Sequence, residues 1–259
     1  MIEGAERHRA IIELARQHNR LTVDALATHF GVSVQTIRKD LNILCEQRLL
    51  TRIHGGATLP SGVENLEYEA RRRIAASAKE AIGKAAAALI PNDASLFINI
   101  GTTTEAVSQA LLDHDGLLVV TNNINVANRM RIYPRFEVVI AGGIVRPSDG
   151  GIVGEAAADF FSRFKVDYAV IGASALDEEG ALLDYDYREV KVAQSIIANA
   201  RHVILVADSG KFARSAPVRI ARIDQIGTFV TERCPSDTFR DLCVKAGVAL
   251  IEIEKPPED

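Results

Sequence analysis

From residue 95 to residue 253 the sequence alternates between short apolar runs and amphipathic helical patterns, and this alternation restricts the fold more than any other feature. The runs are SLFINI (95–100), LLVVT (117–121), EVVIA (137–141), DYAVIGA (167–173), HVILVA (202–207), IGTFVT (226–231) and VALIEI (248–253). Helical periodicity fills 104–113, 124–132, 155–164, 187–200 and 236–246. A strand with one wet face alternates apolar and polar residues, whereas near-continuous apolar runs belong to strands covered on both faces. The expected architecture is therefore α/β, a parallel sheet between layers of helices.

The first 60 residues have a different texture. Ala10, Ile11, Leu14 and Ala15 recur at helical spacing, and Thr22 is placed to cap a short helix, VDALATHF. Gly31 ends that helix, and Ser33 caps a third one with Ile37, Leu41 and Leu44 on its inner face. Residues 49–53 alternate as a short strand, and His54-Gly55-Gly56 makes a turn, giving three helices and a small hairpin. Pro60-Ser61-Gly62 is a linker signal. After it, residues 64–90 lack proline and read as one long helix. The expected division is a head at 1–60, a linker at 61–74 and a body at 75–259.

Two helices joined by a tight turn, the second amphipathic, have the spacing of a helix-turn-helix. The outer face of the second carries Gln35, Thr36, Arg38, Lys39 and Asn42 after Ser33, groups suited to base edges and phosphates of double-stranded DNA. Arg52 and His54 are placed to form a wing over the DNA backbone. The alternative is a solvated face on a small helical bundle. Charge favours DNA: the chain carries −4 overall, yet residues 1–60 hold eight Lys/Arg against six Asp/Glu.

In the body, Gly101-Thr102-Thr103-Thr104 follows the first strand and opens a helix. Backbone N–H groups and the positive end of the helix dipole converge there, which suits a phosphate. Neither GxxxxGK[ST] nor GxGxxG is present. Other polar turns also follow strands, with Asn122 and Asn123, Gly142 and Gly143, Asp149-Gly150-Gly151, and Asp208 to Lys211. In open parallel sheets the loops at the carboxyl ends of the strands line the ligand crevice. Lys211 supplies positive charge there, and Asn122, Asn123, Asp184 and Asp186 are candidates for binding ligand hydroxyls. Each of these types is also common in turns and caps for local reasons.

Three widely spaced cysteines, Cys45, Cys234 and Cys243, indicate neither a metal site nor a disulfide framework. No cofactor, metal or catalytic residue is expected. No apolar run has the length of a membrane span, and the N-terminal MIEGAERHRAIIEL lacks a secretory pattern, so the expected location is cytoplasmic, with no membrane partner.

The run RHRAIIELARQHNRLTVDALATHFGVSVQTIRKDLNILCEQRLLTRIHGGA resembles the head of the DeoR family of bacterial repressors, above all in VSVQTIRKDLN followed by LTRIHGGA. FINIGTTTEA, VVTNNINVA, AGGIVR, GGIVGEAA, DYAVIGAS and DSGKF resemble its C-terminal sensor. The resemblance implies a winged helix-turn-helix with 33–47 as recognition helix, followed by a sensor with the fold of ribose-5-phosphate isomerase. It implies binding without turnover. Where that enzyme pattern has an acidic residue stands Ser174, and after Asp177 the acidic pair Glu178-Glu179 stands where a catalytic lysine belongs. IGTTTEAV, TNNINVANRM, GGIVGEAAADF and LLDYDYREV resemble the branch that answers to glycerol 3-phosphate. A small phosphorylated metabolite, glycerol 3-phosphate or similar, is thus the implied inducer. Helix-turn-helix proteins commonly bind repeated half-sites as dimers, so a homo-oligomer, dimer or tetramer, is expected. Another sugar phosphate as inducer, or an isomerase-like enzyme with an appended head, are the alternatives.

Overall fold

The computed structural model describes residues 4–18, 20–47, 49–53, 55–58 and 68–253. It divides into two compact units, Met1–Leu66 and Glu67–Asp259.

The head contains α1 (Gly4–His18), β1 (Arg20–Thr22), α2 (Val23–Phe30), α3 (Val34–Glu46), β2 (Thr51–Ile53) and β3 (Gly56–Thr58). The Thr22 hydroxyl caps α2 by accepting from Ala25 N, and Ser33 caps α3 by accepting from Thr36 N. Between them Gly31 turns the chain in the left-handed region at φ 63°, where a side chain is disfavoured. Ile11, Ala15, Leu26, Ile37, Leu41 and Leu44 meet in the core of the unit. The expected hairpin is joined by a strand that the sequence did not announce. Arg20–Thr22 pairs with β3, so the wing is a three-stranded antiparallel sheet in the order β1-β3-β2. Three residues are too few to show a period.

Asp40, on the inner side of α3, is buried and accepts from Arg7 Nε at 2.7 Å and His8 Nε2 at 3.0 Å. Burial alone would raise its pKa. The hydrogen bonds from Arg7 and His8 outweigh burial and hold the carboxyl below its ordinary range. This contribution is present above the unfolded carboxylate pKa and is lost as pH falls through the folded one. Asp40→Ala removes the buried carboxylate that Arg7 and His8 share. We expect it to destabilise the head by about 3 kcal/mol, read as lost hydrogen-exchange protection across α1 and α3 in the intact chain with body amides unchanged.

The body begins with α4 (Tyr68–Arg73) and α5 (Ala76–Ala87), followed by β4 (Ser95–Ile98), α6 (Thr102–Ala110), β5 (Leu118–Thr121), α7 (Ile124–Met130) and β6 (Glu137–Ile140). Next come β7 (Ile144–Val145), β8 (Ile152–Val153), α8 (Glu155–Phe161), β9 (Val166–Ile171), β10 (Ala175–Leu176), β11 (Ala181–Asp184) and α9 (Tyr187–Ala198). The last described elements are β12 (Ala200–Val206), β13 (Val218–Arg222), β14 (Thr228–Thr231), α10 (Asp237–Ala246) and β15 (Ala249–Glu252). The seven apolar runs form one parallel sheet in the order β15-β14-β12-β9-β4-β5-β6. Phe97, Val120, Leu205 and Phe229 pack into the core of one face, and Leu96, Ile98, Val119 and Val206 into the other. Period-2 alternation thus sends both sets into apolar layers, as continuous apolar strands require. Small antiparallel pairings, β7-β8 and β10-β11-β13, were not legible in the sequence.

The single helix expected over 64–90 is corrected. α4 and α5 are separated at Ile74–Ala75, with Ala75 in the left-handed region at φ 52°. No glycine or proline marks the break. Lys79 supports it instead: its Nζ donates to Ile74 O at 2.7 Å and to Arg71 O, satisfying carbonyls at the end of α4 that a continued helix would have paired. The second unit therefore includes α4, which falls within the stretch expected as linker.

Candidate DNA-reading face and ligand site

In the head, Ser33, Gln35, Arg38, Lys39 and Asn42 are exposed along α3 and Thr36 is half-buried, while Ile37, Leu41 and Leu44 face inward. Ser33 and Thr36 are joined through their hydroxyls at 2.9 Å, so both also serve the cap. Arg52 is exposed on β2, and His54 lies outside the described residues. Arg38 and Lys39 form no ion pair among the described residues, which leaves two cations on a rigid helix for an external anion.

In the body, β4 delivers Gly101 to the N-terminus of α6 at φ 147°, a backbone region suited to glycine. The first N–H groups of α6 have no carbonyl one turn back. Thr104 braces this turn: its hydroxyl lies 2.7 Å from Asn99 O and 2.8 Å from Gly101 O. Thr103 is buried, and Thr102 is half-buried on the wall of an open groove of about 750 Å³ shared with Lys79, Glu105 and Arg129.

Positive charge gathers beside this turn. Lys211, in the 3₁₀ turn Ser209–Ala213, is buried and has Arg214, Arg71 and Lys79 as cationic neighbours, with Asp208 the opposing charge. Burial, then Arg214 and the other cations, brings the Lys211 ammonium down to about 7. Burial likewise lowers Lys79. Such a group regains its proton when an anion arrives.

The other expected ligands have intramolecular partners. Asn123 caps α7 by accepting from the backbone N–H groups of Asn125 and Val126, and donates to Glu105 Oε1 at 3.1 Å. Asp186 caps α9 and pairs with Arg188 at 2.9 Å. Asp184 accepts from Ser174 Oγ at 2.8 Å and from Tyr185 N. Asn122 donates to Ile152 O, leaving its Oδ1 without a partner. Gly142 and Gly143 are exposed in the turn between β6 and β7.

Several residues that the sequence did not single out surround these candidates. Arg71 pairs with buried Asp149 at 3.1 Å, and Asp149 also receives Arg146 at 2.7 Å. Arg146 continues to Glu189 at 2.6 Å. Burial and the neighbouring Asp184 carboxylate push Glu189 up to about 8. Tyr68 donates to Glu105 at 2.6 Å. α4 is thus tied to the site edge by Arg71 and Tyr68. Lys79, which the sequence-based site also lacked, left a trace in the sequence, because it shares the face of α5 that buries Ile82, Gly83 and Ala86. Arg71 was one of three consecutive arginines, and nothing local distinguished it.

Comparison with known proteins decides the family. The profile of the DeoR C terminal sensor domain matches residues 74–233, and that of the DeoR-like helix-turn-helix domain matches residues 7–63. The chain belongs to the DeoR family. This DeoR-family protein is 46% identical over 234 residues to the glycerol-3-phosphate regulon repressor of Escherichia coli K12, covering 90% of this chain and 93% of the relative. It is 38% identical over 258 residues to the HTH-type transcriptional repressor CsqR of the same organism, covering 100% and 98%. Ribose 5-phosphate isomerase from Plasmodium falciparum aligns over 53% of each chain at 10% identity and TM-score 0.39, too remote to bear on activity. The DeoR-family protein is a DNA-binding repressor with a winged helix-turn-helix and an α/β sensor domain. No described helix is long and apolar enough to cross a membrane.

Proposed function

We propose that this protein releases its operator when glycerol 3-phosphate, or a closely related small phosphorylated metabolite, binds between the α6 N-terminus and Lys211. The observation that carries this reading is the excess of buried or half-buried cations, Lys79, Lys211, Arg71 and Arg214, beside free helix N–H groups. The choice of glycerol 3-phosphate is supported by the name of the 46% identical relative, a glycerol-3-phosphate regulon repressor. Gly101, Thr102 and Thr103 would present backbone N–H groups to the phosphate. Binding without turnover is part of the proposal: Ser174 is held by Asp184, and Glu178 and Glu179 are exposed. A homo-oligomer, dimer or tetramer, acting in the cytoplasm completes it, since helix-turn-helix proteins commonly read paired half-sites.

Coupling follows from shared partners. A phosphate draws Arg71 away from Asp149, changing the hold on α4, the first described element after the head. By linkage, ligand and operator weaken each other by the same factor. Titrating the protein on a fluorescent operator duplex with glycerol 3-phosphate should release the DNA. An unchanged operator affinity at saturating ligand rejects the proposal.

The Lys211 pKa sets a pH dependence. Phosphate monoesters are dianionic above about pH 6, and they bind the protonated lysine better. Affinity should therefore fall as pH rises from 7 to 9, by up to about tenfold per unit, in calorimetric titrations. A flat profile would remove Lys211 from the phosphate.

A further inference from the structure

Five buried side-chain polar atoms among the described residues have no hydrogen-bond partner: Arg71 Nε, Asn99 Oδ1, His114 Nδ1, Asn122 Oδ1 and Asp208 Oδ1. All but His114 belong to α4 or to the residues that follow β4, β5 and β12, the edge of the ligand site. An unpaired buried polar group is costly, so such groups collect where something else completes them. Their types are informative. Arg71 Nε is a donor and suits a phosphate oxygen. The other three are acceptors, which a phosphate dianion cannot satisfy, and which call for hydroxyl donors.

Asn99 and Asn122 are neighbours. Ile98 of β4 pairs with Thr121 of β5, so the next residue on each strand stands side by side. The Asn122 carboxamide is oriented by its Nδ2 donating to Ile152 O at 3.0 Å, which leaves Oδ1 as the unmatched atom. The Asn99 carboxamide makes no hydrogen bond to any described residue, although only 1% of Asn99 is exposed. Its backbone oxygen accepts from Thr104 Oγ1, fixing this strand end against the turn that begins at Gly101. A carboxamide two residues ahead of a phosphate cradle is placed for the carbon chain of the ligand.

We propose that Asn99, assisted by Asn122, accepts hydroxyl hydrogens from the non-phosphorylated end of the ligand and sets a preference for polyol phosphates over alkyl phosphates. The proposal rests on the phosphate-binding reading above and adds the residue that reads the rest of the molecule. An isolated Asn99 side chain with no intramolecular work costs stability in the free protein, so its removal separates recognition from folding.

The test is calorimetric titration of wild type and Asn99→Leu with glycerol 3-phosphate and with n-propyl phosphate, which keeps the phosphate and lacks the hydroxyls. Wild type should prefer glycerol 3-phosphate by about tenfold or more. Asn99→Leu should lose most of that preference, keep its affinity for n-propyl phosphate, and melt no lower than wild type. If Asn99→Leu fails to fold, Asn99→Ala is read in the same way. Equal binding of the two compounds by wild type, or undiminished preference in the folded variant, overturns the proposal and leaves phosphate binding standing. Binding of neither compound by wild type overturns both.

Discussion

Replacing Lys211 with methionine is expected to weaken glycerol 3-phosphate binding by about a hundredfold, while operator binding in the absence of ligand is retained. Methionine keeps the length and apolar stem of lysine and removes only the charge. The loss is large because the Lys211 ammonium is buried, where a charge-assisted hydrogen bond to phosphate is poorly screened. The same change should raise the melting temperature of the ligand-free protein. A lysine whose folded pKa is about 7, below its ordinary 10.5, is bound by fewer protons in the folded than in the unfolded chain between those values. Stability of the free protein therefore increases with pH across that window, and below it the full cost of a buried charge among Arg214, Arg71 and Lys79 is felt. Methionine removes both the cost and the slope. A variant that loses stability and keeps the inducer would place Lys211 in the framework and not in the site.

Arg38→Ala combined with Lys39→Ala should lower operator affinity by about a hundredfold with ligand binding unchanged. Both side chains are exposed on α3, opposite the core residues Ile37 and Leu41, so their removal leaves the fold of the head intact. Each cation that meets a phosphate releases about one counterion, so the slope of log affinity against log salt should drop by up to about two. Fluorescence anisotropy at several salt concentrations measures both quantities. An unchanged slope would move these residues off the DNA backbone, and an unchanged affinity would remove them from the reading face.

The two expectations differ in how far the sequence alone could support them. Arg38 and Lys39 were legible because an amphipathic helix displays its outward residues at fixed spacing, and the caps at Thr22 and Ser33 fixed where the helices begin. The seven strands were legible for a similar reason: burial on both faces writes itself as an apolar run. The Gly101–Thr104 turn was legible because a strand, a glycine and a helix start are consecutive in the chain. Other expected site residues have local structural work. Asn123 and Asp186 cap helices, which the same residue preference for turns allows.

Neighbours along the chain therefore set the helix-turn-helix with its exposed cations, the parallel strands and the glycine turn at α6. Tertiary structure alone decided which distant groups converge. It broke the 64–90 helix at Ala75, where no local signal stood, because Lys79 can satisfy the carbonyls left open by the break. It brought Arg71 to Asp149, 78 positions away, and gathered Lys79, Asn99 and the turn of Asp208 and Lys211 from three separate segments near the carboxyl ends of the strands. Charges and unmatched polar atoms acquire their pKa and their binding role from burial and from one another. Those quantities depend on distances in space that spacing along the chain does not encode.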